Sequence, residues 1–161
     1  MPDSVLIAYY SKTGNTRRLA EAIQSATGGT LCEIEPAVAY PGSYHATLQQ
    51  AQQEIRAAHR PEIRLPLESL EGFGTILVGT PIWWGTCAPP VATFLERADL
   101  AERRVALFCT HRGGGAGSLA SDAAQLCAGA TLPLLAMRGG PMSGGAPGAE
   151  ISSWLRRIGL A

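Results

Sequence analysis

The stretch Tyr9-Tyr10-Ser11-Lys12-Thr13-Gly14-Asn15-Thr16-Arg17-Arg18-Leu19-Ala20-Glu21-Ala22-Ile23 decides the fold. It begins at the end of the apolar run Val5-Leu6-Ile7-Ala8-Tyr9-Tyr10. An unbroken run of that length suits a strand buried on both faces, as in a parallel sheet. Thr16, Leu19, Ala20 and Ile23 then recur at helical spacing, and Gly28-Gly29 stops the helix. The strand therefore hands over to the helix through Ser11 to Thr16, a turn of hydroxyls, one amide, one lysine and one glycine.

The same alternation continues along the chain. A second strand is expected over Thr30 to Glu35, ended by Pro36. After the turn Tyr40-Pro41-Gly42-Ser43, residues 44–59 are rich in helix formers, and residues 60–72 read as a connection. Thr75 to Thr80 is the third strand and leads into the loop Pro81 to Thr86; Pro89-Pro90 opens a helix through Glu96. Arg104 to Thr110 is the fourth strand, a helix covers about 118–127, and Thr131 to Met137 is the fifth strand. The glycine-rich stretch 139–148 reads as a linker to a last helix at about 150–158. Such an order calls for a doubly wound α/β sheet with helices on both faces. Ligands bind such sheets at the carboxyl ends of the strands, which brings loops 11–16, 80–86 and 110–117 together.

Composition narrows the function. The 161 residues suit one domain, 46% are hydrophobic and only 16% charged. Lys+Arg and Asp+Glu are both 13, a balance that argues against nucleic acid and against strong electrostatic steering of a partner. No apolar run is long enough to span a bilayer, and Met1-Pro2-Asp3-Ser4 lacks the basic start of a signal peptide. Cys32, Cys87, Cys109 and Cys127 form no CxxC, so free thiols in a reducing cytoplasm are expected, with no zinc or other metal site. His45 and His59 fall at no metal-ligand spacing, and no nucleophile elbow is present.

The first loop suits an anion. A helix N-terminus offers unpaired N–H groups and the positive end of the helix dipole. Ser11, Thr13, Asn15 and Thr16 can add side-chain donors, and Gly14 lets the backbone turn tightly. Neither the Walker pattern nor the G-x-G-x-x-G fingerprint is present after the first strand. A terminal monoester phosphate fits better than a triphosphate or a dinucleotide. The competing reading is an ordinary polar turn with an Asn or Thr cap.

These residues carry a family resemblance. Ser11-Lys12-Thr13-Gly14-Asn15-Thr16 resembles the (S/T)-x-T-G-x-T phosphate loop of flavodoxins, which binds the phosphate of flavin mononucleotide (FMN). Pro81-Ile82-Trp83-Trp84-Gly85 resembles the P-I-W-W-G segment of a bacterial flavodoxin-like subgroup. Thr110 to Gly117 resembles that subgroup's T-S-G-G-x-G loop, with His111-Arg112 replacing the usual small residues. The resemblance spans essentially the whole chain, residues 1–161, as one domain. It implies a five-stranded parallel sheet in the order 2-1-3-4-5.

The resemblance also implies noncovalent FMN, held by Ser11, Lys12, Thr13, Gly14, Asn15 and Thr16 at the phosphate. Thr80, Pro81, Ile82, Trp83, Trp84 and Gly85 would flank the ring on one side, with one tryptophan stacking and the other packed inward. Thr110, His111, Gly113, Gly114, Gly115 and Gly117 would meet its polar edge. Gly85 would turn its carbonyl to the flavin after one-electron reduction. His111 and Arg112, in loops without Asp or Glu, would favour the anionic reduced flavin. The function implied is single-electron transfer between a reductase and an acceptor enzyme, with no catalytic residue, no membrane and no nucleic acid involved. The alternative is an NAD(P)H-dependent reductase of quinones or other small acceptors.

Overall fold

The structure is a computed structural model and describes residues 4–139 and 148–160. In chain order the elements are β1 (Ser4–Tyr9), α1 (Asn15–Thr27), β2 (Thr30–Glu33), β3 (Glu35–Pro36), α2 (Tyr44–Arg56), β4 (Ile63–Arg64), β5 (Phe73–Trp83), β6 (Thr86–Cys87), α3 (Pro89–Arg97), β7 (Arg104–His111), α4 (Leu119–Leu126), β8 (Ala130–Arg138) and α5 (Gly148–Arg157). The main sheet runs β2-β1-β5-β7-β8, all parallel. Counting only these long strands, that is the expected order 2-1-3-4-5.

Alternation along each strand feeds two cores. Leu6 and Ala8 of β1 join Ile76 and Val78 of β5 on the face covered by α2, α3 and α4. Ile7, Tyr9 and Leu77 point the other way, against Leu19 and Ile23 of α1 and Ile151, Trp154 and Leu155 of α5. Both faces are therefore dry, as the apolar runs require. Gly79 is needed in this sheet, because a Cβ there would lie 2.3 Å from the Phe108 ring. All four cysteines are free and buried. Burial pushes the thiols of Cys32 and Cys87 up to about 11 and that of Cys109 up to about 12. They are thiols, not reactive thiolates, at neutral pH.

Three segments differ from the sequence-based expectation. Residues 60–72 are not only a connection, because β4 pairs antiparallel with β3 through Glu35–Arg64 and Pro36–Ile63. The second strand breaks at Ile34, whose N–H donates to the Tyr9 carbonyl at 2.7 Å. More important for the site, the third long strand does not end at Thr80. It runs on to Trp83, turns at Trp84-Gly85 and pairs back through β6 (Ile82–Cys87 and Trp83–Thr86). Both turn residues have positive φ, 56° and 77°, the geometry of a two-residue hairpin turn that follows strand twist. Pro81 hid this extension, since proline normally argues against a strand. The expected linker falls largely at residues 140–147, outside the described residues.

Candidate functional site

The first loop leaves the N-terminus of α1 open. Gly14 (φ 99°) caps α1 in a left-handed conformation, with no side-chain cap and no acidic residue in the first turn. The Gly14 N–H donates to Ser11 Oγ at 3.0 Å, and its carbonyl accepts from Arg18 N–H at 3.0 Å. The first amides of α1 are thus left for a ligand or water. Thr16 is buried, and its hydroxyl shares a 2.8 Å hydrogen bond with that of Thr110. That bond fastens the first loop to the third. Lys12 reaches across to the Pro41 carbonyl, donating at 2.9 Å.

The second loop supplies an aromatic wall. Trp83 is 1% exposed and meets Tyr10 and Tyr40 edge to face, at centroid distances of 5.6 and 5.5 Å. The Tyr40 hydroxyl donates to Glu54 Oε1 at 2.6 Å. Burial, first of all, holds the Tyr10 and Tyr40 phenols far above their usual range, so both stay neutral. Trp84 faces the other way and is 52% exposed, with its indole N–H donating to the Leu48 carbonyl at 2.7 Å. Thr80 lies beneath, donating to the Pro81 carbonyl and accepting from the Ala88 N–H. The Gly85 carbonyl is already engaged by Ser118, through its N–H at 2.7 Å and its Oγ at 3.2 Å. A turn of that carbonyl toward a ligand has to break both bonds.

The third loop is organised by its histidine. His111 Nδ1 accepts from the Gly113 N–H (3.0 Å) and the Gly115 N–H (3.2 Å). Both bonds end on the ring's Nδ1, so His111 folds its own loop. The positive charge next to it is Arg112, whose guanidinium lies 4.2 Å from the centroid of the Tyr44 ring. Such a cation–π contact is worth about 0.5–1 kcal/mol at an exposed site. His111→Leu removes the acceptor, whereas His111→Asn keeps an acceptor atom at the same position along the side chain. Amide hydrogen exchange at Gly113 and Gly115 should accelerate roughly tenfold in the Leu variant and stay near wild type in the Asn variant. Equal acceleration in both would show that the ring does not hold the loop.

The three loops meet in one cleft at the carboxyl edge of the sheet. It is lined by Lys12, Thr13, Asn15, Tyr44, Pro81, Ile82, Trp83, Thr110, His111, Arg112 and Gly139. Ser11, Gly14, Thr16 and Thr80 are not lining residues; Ser11 and Gly14 bond each other within the first loop, while Thr16 and Thr80 bond the lining residues Thr110 and Pro81. Trp84, Gly85, Gly113, Gly114, Gly115 and Gly117 are not among the lining residues. Tyr44, Gly139 and the tyrosines behind Trp83 escaped the sequence reading. Gly139 had a signal, a glycine just past a strand; a Cβ there would lie 2.9 Å from Asn15 Nδ2. Tyr44 had none, since its helix reads as remote from the strand ends.

A family model for flavodoxins matches residues 4–158. The chain belongs to the flavodoxin family. No curated protein matches this flavodoxin-family chain in sequence. Among solved structures it is similar to a flavoprotein from Lactobacillus acidophilus in complex with FMN. That pair has 25% identity and a TM-score of 0.77, covering 94% of this chain and 98% of the other. It is also similar to two Bacteroides proteins classed with the flavoproteins. The one from Bacteroides uniformis has 27% identity, a TM-score of 0.79, and coverage of 97% and 99%. The one from Bacteroides eggerthii has 25% identity, a TM-score of 0.81, and coverage of 98% and 99%. The long-strand order is that of the family fold.

Proposed function

We propose that this flavodoxin-family protein binds FMN noncovalently in the three-loop cleft and carries electrons one at a time between a reductase and an acceptor. The observation that carries this reading is the uncapped N-terminus of α1, with Gly14 turned to clear it and no carboxylate in its first turn. Its donor set fits a phosphate monoester: first-turn amides and the Thr13 hydroxyl, with the Lys12 and Arg18 charges nearby. The FMN complex of the Lactobacillus acidophilus relative supports the choice of phosphate ester.

The remaining residues fit a flat ring. Trp83, Ile82 and Pro81 give the cleft apolar lining, joined by Thr110 and Gly139. Arg112 on Tyr44 bridges the cleft, whose volume is about 20 Å³. A tricyclic ring enters by parting that stack, which leaves the Tyr44 face and the Arg112 charge beside it. FMN, when bound, supplies the redox chemistry. The chain orients the ring, screens it from water on the Trp83 side, and places a cation where negative charge gathers on reduction. Arg112, whose guanidinium lies over the Tyr44 ring in the cleft lining, carries that electrostatic role.

Titration with FMN and with riboflavin, followed by flavin fluorescence, tests the reading. FMN should bind about a hundredfold or more tighter, because only FMN offers the helix a phosphate. Equal affinities would sink the phosphate seat. Anaerobic photoreduction of the loaded protein then separates the two roles. A long-wavelength absorbance band that rises and falls marks separate one-electron steps and a carrier. Direct bleaching by NADPH without that band marks the two-electron reductase, a reading favoured by the thin overall charge.

A further inference from the structure

Two concavities share the β5–β6 hairpin. Its first strand gives Ile82 and Trp83 to the cleft. Its second strand gives their register partners, Cys87 and Thr86, to another pocket of about 240 Å³. Ile55 of α2, Pro89 and Ala92 of α3 and Leu126 of α4 make the apolar part of that pocket. Two opposite charges also line it, Arg60 after α2 and Asp122 in the first turn of α4. They stay apart, since among the described residues no salt bridge joins them. Both still act on the buried Cys87 thiol. Burial does most to raise that thiol and a bond with Thr86 lowers it; the Asp122 charge then raises it and the Arg60 charge lowers it.

Each charge keeps unused capacity. Asp122 Oδ2 accepts from the Thr86 hydroxyl at 2.5 Å and the Ser118 hydroxyl at 2.7 Å. Among the described residues its Oδ1 accepts no hydrogen bond, and no cation pairs with it. Arg60 donates through Nε to Glu96 Oε2 at 3.2 Å, while its two outer nitrogens bond nothing among the described residues. Glu96 does not line the pocket. A guanidinium with free N–H groups suits a carboxylate, and an unpaired carboxylate oxygen suits an ammonium. Asp122 repels a bare anion and Arg60 a bare cation. No Phe, Tyr or Trp lines the pocket to stack on a flat ring. Its volume also falls below the roughly 300–1,000 Å³ of a site for a drug-sized ligand. We propose that this pocket binds a small amphipathic zwitterion of the α-amino-acid class. The carboxylate lies on Arg60, the ammonium on Asp122 Oδ1, and the apolar side chain on Ile55, Pro89, Ala92 and Leu126. The site stands apart from the FMN reading, because none of these residues lines the cleft.

The test uses the full chain without added cofactor. The ¹⁵N-labelled protein is titrated with L-leucine and, separately, with two analogues. One is 4-methylpentanoate, which lacks the ammonium; the other is 3-methylbutylamine, which lacks the carboxylate. Leucine should give saturable amide shifts at Ala58, Cys87, Asp122 and Leu126, half complete at about 1 mM or below. Each analogue leaves one charge of the pocket unpaired and should bind about tenfold or more weakly. Asp122→Asn keeps an acceptor for Thr86 and Ser118 but removes the charge, and Arg60→Gln removes the guanidinium. Both variants should weaken leucine by about tenfold or more, with the rest of the spectrum unchanged. The comparison of the three probes on the unmodified chain decides the matter even where a variant does not fold. No saturable shift near the solubility limit of leucine overturns the proposal, and so do shifts confined to other residues. An analogue that binds as tightly as leucine also overturns it, making the pocket an anion, cation or purely apolar site. FMN binding without any leucine response leaves the cofactor reading standing and sinks this one.

Discussion

Trp83→Ala should cost about 3–5 kcal/mol of folding stability, read as a lower denaturation midpoint at unchanged slope. Trp83 is 1% exposed and is the joint between two layers of the site. Its ring meets Tyr10 at the end of β1 and Tyr40 before α2, with interplanar angles of 87° and 89°. Removing the indole takes out one wall of the cleft and unseats both tyrosines. Tyr10 directly precedes Ser11 of the first loop, so the loss reaches that loop through the backbone. FMN affinity should therefore fall by more than about tenfold even under conditions where the variant is fully folded. Trp83→Phe keeps an edge-to-face partner and should lose about 1–2 kcal/mol and little affinity. If Ala and Phe variants bind FMN equally well, the aromatic joint belongs to the core alone. Trp84→Ala makes a useful contrast, because its half-exposed ring removes far less apolar contact on truncation.

The fold was legible because burial on both faces leaves a plain trace. Val5 to Tyr10, Thr75 to Gly79 and Val105 to Cys109 are continuous apolar runs, and the helices between them carry one apolar stripe each. The shape of the first loop was legible because Gly14 takes the left-handed turn that opens α1. Where the sequence misled, long-range contact decides the structure. Pro81 and Trp84 are poor residues for a strand and a tight turn, yet β5 runs through the first and turns at the second. Pairing of the hairpin against β7 and α4 outweighs those local preferences. The part His111 plays in folding its own loop was not legible, because the two amides its Nδ1 accepts from meet it only in three dimensions.

Gly117→Ala should do the most damage of any methyl-sized change in the third loop. Gly117 has φ 56°, and a Cβ there would stand 2.1 Å from the Gly85 carbonyl oxygen and 2.6 Å from its carbon. Those atoms are backbone and cannot swing aside as a flexible side chain would. The methyl must push the Trp84-Gly85 turn off the third loop, breaking the two bonds from Ser118 to the Gly85 carbonyl. Overpacking of this kind costs about 1–3 kcal/mol, and a left-handed alanine adds about 1 kcal/mol. The hairpin holds only two residue pairs, so it should yield locally before the sheet does. FMN affinity should then fall roughly tenfold or more, while thermal unfolding stays cooperative. Gly85→Ala separates the two causes, since its added Cβ meets nothing within 4 Å although φ is 77°. It carries the backbone strain without the collision. Its affinity loss should be clearly smaller, and isothermal titration of both variants with FMN decides it. Equal losses would mean that strain at the turns, not contact between the second and third loops, sets the shape of the cleft.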